Sequence, residues 1–290
     1  MRAAIALALI AITAASCGAG SSADPNAPVL NVYTGLYPLA QAIEQIGQGK
    51  VTVTDVVPAG VDPATYVLDR QQLAQVRQAG LVVEIGGGFQ PSFENAAAAS
   101  PHVVTLQSTL RASDPYVWLD PNVMQQAVAS MAKAMEAANP AAAGLYRDGE
   151  QAFAASVEST GIDYESTLSA CPRSTIFTAD DAFGALSRDY GLRDDVVGSG
   201  AGLSQTAVDA AANEVEATGA TTVFAEPWVS DGAIDGVAGV AHAKIRTLDT
   251  LTGPPEGGWP PQADYLTLLE SNLGILSAAL GCPDTATGSD

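Results

Sequence analysis

Short runs of apolar and β-branched residues alternate along this chain with longer stretches in which apolar positions recur every three or four residues. VLNVYT (29–34), VTVTDVV (51–57), GLVVEIG (80–86) and HVVTL (102–106) read as strands, while intervening segments such as LAQAIEQIG and RQQLAQVRQ read as helices. Strand, helix, strand in this rhythm predicts a parallel sheet with crossover helices. The rhythm restarts after residue 171 with STIFTA (174–179), DDVVG (194–198), TTVFAE (221–226) and AKIRTLD (243–249), so an α/β fold of two lobes is expected. Between them, after Asn139-Pro140, the residues Phe153, Val157, Gly161, Tyr164 and Leu168 fall on one helical face. A single linking helix of roughly 28 residues would be a rod of about 40 Å, long enough to run along both lobes. Gly149 and Gly161 inside it should each weaken the helix by ~1 kcal/mol relative to alanine. The expected organisation is an N-terminal lobe at 29–138, the linking helix at 139–170 and a C-terminal lobe at 171–290 that ends in a disordered tail.

The first residues do not belong to this pattern. Met1-Arg2 precedes an apolar stretch from Ala3 to Ala15, the charged start and short hydrophobic region of an export signal, placed at 1–16. That stretch is too short to cross a bilayer, and no later apolar run approaches the ~20 residues a membrane helix needs. Ala14-Ala15-Ser16-Cys17 resembles the site at which bacterial lipoproteins are cut and acylated, and Gly18 to Pro28 has the Gly, Ser, Pro and Ala content of a flexible tether. The expected mature protein is anchored by lipid at Cys17 to the outer face of the cell membrane, with 17–28 as its tether. Ordinary cleavage nearby, leaving Cys17 as a free thiol, is the alternative.

Charge narrows the partners. The chain has 12 basic and 32 acidic residues, a formal charge of −20. Nucleic acid is excluded by that balance, and the surplus suits either simple solubility or the attraction of cations. With Cys17 acylated, Cys171 and Cys282 remain as an even pair in an oxidising compartment, where a disulfide is expected. A thiolate metal site would need more soft ligands than these two. Catalysis finds no constellation: Gly198-Ser199-Gly200-Ala201-Gly202 has its serine misplaced for a nucleophile elbow. Gly86-Gly87-Gly88 lacks the lysine and spacing of a nucleotide loop, and reads as a strand-to-helix turn.

Several phrases, in order from Val29 to Cys282, resemble a known family. They are VDPATYVLDRQQLAQVRQAGLVVEIGGGF, DPYVWLDP, TADDAFGALSRDYGL, VFAEPWVS, KIRTLDTL and DYLTLLESNLGIL, with DPYVWLDP and DDAFGALSRDYGL the specific ones. They are similar to the zinc- and manganese-binding receptors of ABC importers, the ZnuA/TroA group. The resemblance implies two α/β lobes bridged by a long, stiff helix, a ligand held between them with modest closure, a monomer, and a permease and its ATPase as partners.

At the family's four ligand positions this chain departs from it. Where the family has the histidine of DPH-x-Y, Ala64 stands between Pro63 and Thr65, and alanine ligates nothing; Tyr66 follows. Where it has the histidine of DPHVWLDP stands Tyr116, a ligand chiefly when deprotonated from a pKa near ~10. Where it has a histidine or glutamate, Asp180 stands ahead of Asp181, and the fourth ligand, Asp249, is kept. Glu226, in AEPW, matches a family acid and is expected in the cleft behind the ligands or paired with a base at a strand end. His102 and His242 fall at no ligand position and read as surface or cap residues.

Asp180, Asp249 and Tyr116 make an oxygen set that suits manganese or iron better than zinc. Two carboxylates brought together call for something positive beside them. Alternatively the chain binds no metal, and the aspartates pair with arginine or lysine or hydrogen-bond water in the cleft. The cleft could then serve a chelated metal or small organic cation, with Trp118, Trp228 and Tyr66 turned inward. A surface partner-binding or adhesive protein, which would need an exposed apolar patch, is the third reading.

Overall fold

In the computed structural model, which describes residues 27–198, 203–229 and 232–283, strand β1 (Leu30–Thr34) buries Leu30, Val32 and Thr34 and leaves Asn31 and Tyr33 less covered. It joins β2 (Val51–Asp55), β3 (Leu81–Glu84) and β4 (Val103–Thr105) in a parallel sheet of order β2-β1-β3-β4. The direction of strand addition reverses between β1 and β3, and the crevice beyond the carboxyl ends at such a switch is where open α/β sheets bind ligands. The crossovers are α1 (Tyr37–Gly47), α2 (Arg70–Arg77) and α3 (Pro91–Ala97), and β4 leads into α4 (Leu106–Leu110) and α5 (Pro121–Ala138). Asp69 starts α2 with a capping box to Gln72, and Asp120 starts α5 by accepting the Asn122 N–H, with Pro121 in the first turn.

The second lobe repeats the scheme. Its strands are β5 (Thr175–Thr178), β6 (Arg193–Val196), β7 (Thr222–Ala225) and β8 (Lys244–Thr247), and its helices α7 (Gly184–Asp189), α8 (Gln205–Thr218), α9 (Gly232–Ala241) and α10 (Tyr265–Leu280). β5 pairs with β6 and β7 with β8, both in parallel, and β5 lies beside β7. All eight expected strands are present, several of them shorter than their apolar runs, because a run also includes the flanking residues that turn the chain.

The linker is a 3-10 turn at Pro140–Ala142 followed by α6 (Ala143–Leu168), 26 residues whose buried face carries Phe153, Val157, Gly161, Tyr164 and Leu168 as the spacing predicts. Its two glycines have a packing reason. A Cβ on Gly149 would lie 2.3 Å from the backbone oxygen of Ile46 in α1, and one on Gly161 would lie 3.3 Å from both Pro121 and the Tyr190 hydroxyl. The lost helix propensity is offset by the close approach these positions allow.

Helix α10 returns from the second lobe to pack on α6 and α1, so one apolar core runs through both lobes. Cys171, just past α6, is disulfide-bonded to Cys282, just past α10. Residues at the end of the predicted tether are part of the fold: Ala27 is buried, and the Pro28 carbonyl accepts a hydrogen bond from Asn139 Nδ2 at 2.8 Å. The predicted export signal, Cys17, the predicted tether to residue 26, the Ser-Gly-Ala-Gly run at 199–202 and the residues from 284 on lie outside the described residues. Among the described residues, no helix is long and apolar enough to cross a membrane.

Candidate functional site

The two lobes meet through polar contacts between segments far apart in the chain. Trp118 Nε1 donates to the Thr250 carbonyl at 2.8 Å, the Tyr265 hydroxyl to the Trp118 carbonyl at 2.5 Å, and the Gly60 N–H to the Pro254 carbonyl at 2.9 Å. Trp118 is fully buried, and its ring meets those of Phe89 and Tyr116, with centroids 5.7 and 5.4 Å away. Phe89 also stands edge-on to Tyr116 at 5.4 Å. Tyr116 is thus held at the lobe boundary by two aromatic neighbours.

Across the boundary lie the carboxyl ends of β5 and β7. Asp180 follows β5, and its Oδ1 accepts the Ala182 N–H at 2.9 Å, which shapes the turn into α7. Glu226 follows β7 and is buried, 3% exposed. Its Oε1 accepts the N–H groups of Ala179 and Asp180 at 2.7 and 3.0 Å, so Glu226 braces the segment that carries Asp180. Among the described residues its Oε2 has no N–H or O–H donor, and the Asp180 carboxyl lies against the Glu226 side chain.

Burial first, and then the hydrogen bond and charge of Asp180, push the Glu226 carboxyl up to about 9. Two carboxyls in contact, one of them buried, disfavour a second negative charge there. Burial together with Asp180, Glu226, Asp181 and Asp114 pushes the Tyr116 phenol well above its ordinary value. It is a neutral phenol here, and a tyrosinate would have to form against four acids.

Asp249 is engaged differently. Its Oδ1 accepts the Leu251 N–H at 2.8 Å and its Oδ2 the Trp259 indole N–H at 3.1 Å. Asn272 of α10 brackets its backbone from both sides, accepting the Asp249 N–H at 3.0 Å and donating to its carbonyl at 2.7 Å. Burial raises the carboxyl's pKa, and the Leu251 and Trp259 hydrogen bonds oppose that rise. A cavity of about 300 Å³ adjoins Asp249, lined by Trp228, Pro227, Glu256 and Gly60.

Other positions singled out in the sequence are placed elsewhere. Ala64 lies in a turn in which its N–H donates to Asp62 Oδ1. Tyr66 turns into the first lobe, where its hydroxyl donates to Gln72 Oε1 at 3.0 Å. Asp181 is exposed, as are His102 and His242. Of the three aromatics expected to line a roomy cleft, Trp228 alone lines a described cavity; Trp118 is committed to the core and Tyr66 to α2.

Sequence reasoning passed over Trp259, Phe89 and Asn272. Trp259 sits in a Gly-Gly-Trp-Pro-Pro loop with no periodic signal, and Asn272 is a polar residue on the apolar stripe of α10, which is the signal that could have found it. Among the described residues no three His, Cys, Asp or Glu side chains are grouped to hold a metal ion as they stand. None of the described ion pairs involves Asp180, Asp249 or Glu226.

The bracing role of Glu226 carries a prediction. Glu226→Ala leaves two inward N–H groups without their acceptor and should cost about 2–4 kcal/mol in urea denaturation. Glu226→Gln keeps an acceptor for them and offers an N–H to Asp180, so it should cost under about 1 kcal/mol. Equal losses in both variants would refute the bracing role.

Comparison with known proteins agrees with this architecture. The profile described as zinc-uptake complex component A, periplasmic (ZnuA), matches residues 32–279. The high-affinity zinc uptake system protein ZnuA of Bacillus subtilis (strain 168) is 24% identical over a 301-residue alignment covering 92% of this chain and 93% of that one. The zinc(II)-bound ZnuA-like domain of Streptococcus pneumoniae AdcA superposes with a TM-score of 0.76 at 20% identity, covering 87% of this chain and 99% of that one. The periplasmic zinc-binding protein TroA of Treponema pallidum does so with a TM-score of 0.76 at 19% identity, over 87% and 99%. With the profile match spanning both lobes and the helix between them, this chain belongs to the ZnuA family.

Proposed function

We propose that this protein is the extracytoplasmic solute-binding receptor of a metal-type ABC importer and captures a cation through oxygen ligands between its lobes. The observation that carries the reading is the Asp180–Glu226 pair: two carboxyls in contact, one oxygen buried without a donor, and no arginine or lysine ion-paired to either among the described residues. A positive charge is what that arrangement lacks, and a hard cation seated between the carboxyls supplies it. In this reading Asp180, Asp249 and Tyr116 are the ligands. The free Oε2 of Glu226 joins them, and Asp249 leaves Trp259 to do so.

Manganese suits this set best. Zinc prefers nitrogen and sulfur donors, which the site does not offer. Ferric ion would draw on a tyrosinate that the neighbouring acids oppose. The protein hands its ion to a permease driven by an ATPase, works as a monomer tethered through acylated Cys17, and is not an enzyme. Its relatives' names speak of uptake and metal binding, in keeping with that role.

Calorimetric titration with manganese, zinc and ferric ion tests the reading on the purified protein and on Asp180→Ala and Asp249→Ala. Tight manganese binding that weakens at least about 100-fold in each variant is expected, a loss of ~2.7 kcal/mol. No heat and no co-purifying metal would overturn it. The cavity beside Trp228, Asp249 and Glu256 favours a second reading, a small organic cation or chelate stacked on the indole. That reading predicts quenching of tryptophan fluorescence by such a ligand in the absence of metal binding.

A further inference from the structure

Away from the cleft's carboxyl pair, a second one joins the lobes. The segment from Asp114 to Asp120, which carries Tyr116, touches α7 at two points. Asp114 forms an ion pair with Arg188 at 3.7 Å, and the Asp120 carboxyl meets that of Asp189, the last residue of α7. A cavity of about 210 Å³ lies between the two elements, lined by Val117, Val123 and Ala185 as well as the charged groups.

Asp120 is 0% exposed. Its Oδ1 accepts the Asn122 N–H at 2.9 Å, and its Oδ2 is buried without an N–H or O–H donor among the described residues. The other polar groups around it are committed or give it nothing. From α6 the Tyr164 hydroxyl donates to the Leu269 carbonyl, and from α10 the Tyr265 hydroxyl donates to the Trp118 carbonyl. The Tyr190 hydroxyl is buried without a partner among the described residues, close to Asp120, Asp189 and Glu165. Arg188 is paired with Asp114; Arg111 lines the cavity, with no described hydrogen bond or ion pair to Asp120. Were both carboxyls ionised, two negative charges would touch with one of them out of water.

We propose that a single proton held between Asp120 and Asp189 latches α7 to the first turn of α5, so that the junction of the two lobes tightens in acid and loosens in alkali. Because α7 follows directly from the Asp180 turn, the latch also steadies that turn against the segment bearing Tyr116, whatever solute the cleft takes. Burial first, and then the Asp189 carboxyl, push Asp120 up to about 7 against the lowering by the N–H groups of Asn122 and Val123. The sign follows from a folded value above the unfolded one of ~3.9. The latch's contribution is full below about pH 4 and is lost as pH rises through about 7.

Thermal melts and hydrogen exchange of α7 test this on the purified protein and on Asp189→Asn and Asp120→Asn, each of which replaces the proton with a permanent amide donor. Relative to either variant, the unaltered protein should lose on the order of 2–4 °C in melting temperature between about pH 5 and about pH 8. Its α7 amides should exchange faster than the variants' at the higher pH only. Asp55, Asp194 and Glu226, also raised to about 7, 6 and 9, titrate in all three proteins and cancel in the difference. Melting curves that stay parallel across pH, with unchanged α7 exchange, would overturn the proposal. If one variant fails to fold, the other decides.

Discussion

Replacing Cys171 and Cys282 together by serine is expected to lower the free energy of unfolding by about 4–5 kcal/mol, the largest effect of any change considered for this molecule. The two cysteines are 111 residues apart, and the bridge ties the end of α6 to the end of α10. An unfolded chain closed over so long a loop has far fewer conformations than an open one, and removing the closure returns that entropy to the unfolded state. Urea denaturation with and without reductant measures it. The reduced or substituted protein should also show a steeper dependence on urea, because its unfolded state exposes more surface. A loss below about 1 kcal/mol would mean that the unfolded chain is compact without the bridge, or that the helix ends are held mainly by packing.

Trp118→Ala should cost about 3–5 kcal/mol, the range for removing a large buried aromatic side chain. The indole fills the core where the lobes join, donates to Thr250 across the boundary, and supports Tyr116 and Phe89. Alanine would leave a cavity and a carbonyl without its donor. Trp118→Phe keeps most of the packing and loses the N–H, so its cost should be nearer 1–2 kcal/mol. Denaturation of both variants separates the two contributions. If alanine cost no more than phenylalanine, the ring's packing would contribute nothing and the join would rest on hydrogen bonds alone. In the alanine variant Tyr116 loses a fixed neighbour, so any solute affinity that depends on it should fall in parallel.

The order of the elements was legible before the structure because periodicity is a local property. Alternating runs found the strands, and the three-and-four spacing of Phe153, Val157, Gly161, Tyr164 and Leu168 found the buried face of α6. Parity and compartment found the Cys171–Cys282 pair. The missing histidines at residues 64 and 116, and the aspartate at 180, could be read directly from the aligned phrases, and together they removed the usual nitrogen ligands.

What sequence could not reach was the choice of partner for each polar side chain, since partners come from segments brought together only by packing. Asp249 and Trp259 are close in the chain, yet their bond depends on a loop held over α10. Glu226 meets the backbone of Ala179 and Asp180 from 47 and 46 residues away, and its free oxygen and displaced titration follow from that seat rather than from its neighbours in sequence. Tyr66 and Trp118, both aromatic residues beside ligand positions, were equivalent candidates for the cleft until packing sent one to Gln72 and the other into the core. Asp120 shows the limit most clearly. In the sequence it is only the last aspartate of DPYVWLDP; the structure makes it the N-cap of α5, and the approach of α7 from the other lobe places a second carboxyl against it. Sequence by itself determined which groups this protein has and in what order it builds its lobes; tertiary structure decided which of those groups face one another, because desolvation and hydrogen-bond geometry are properties of the assembled interior.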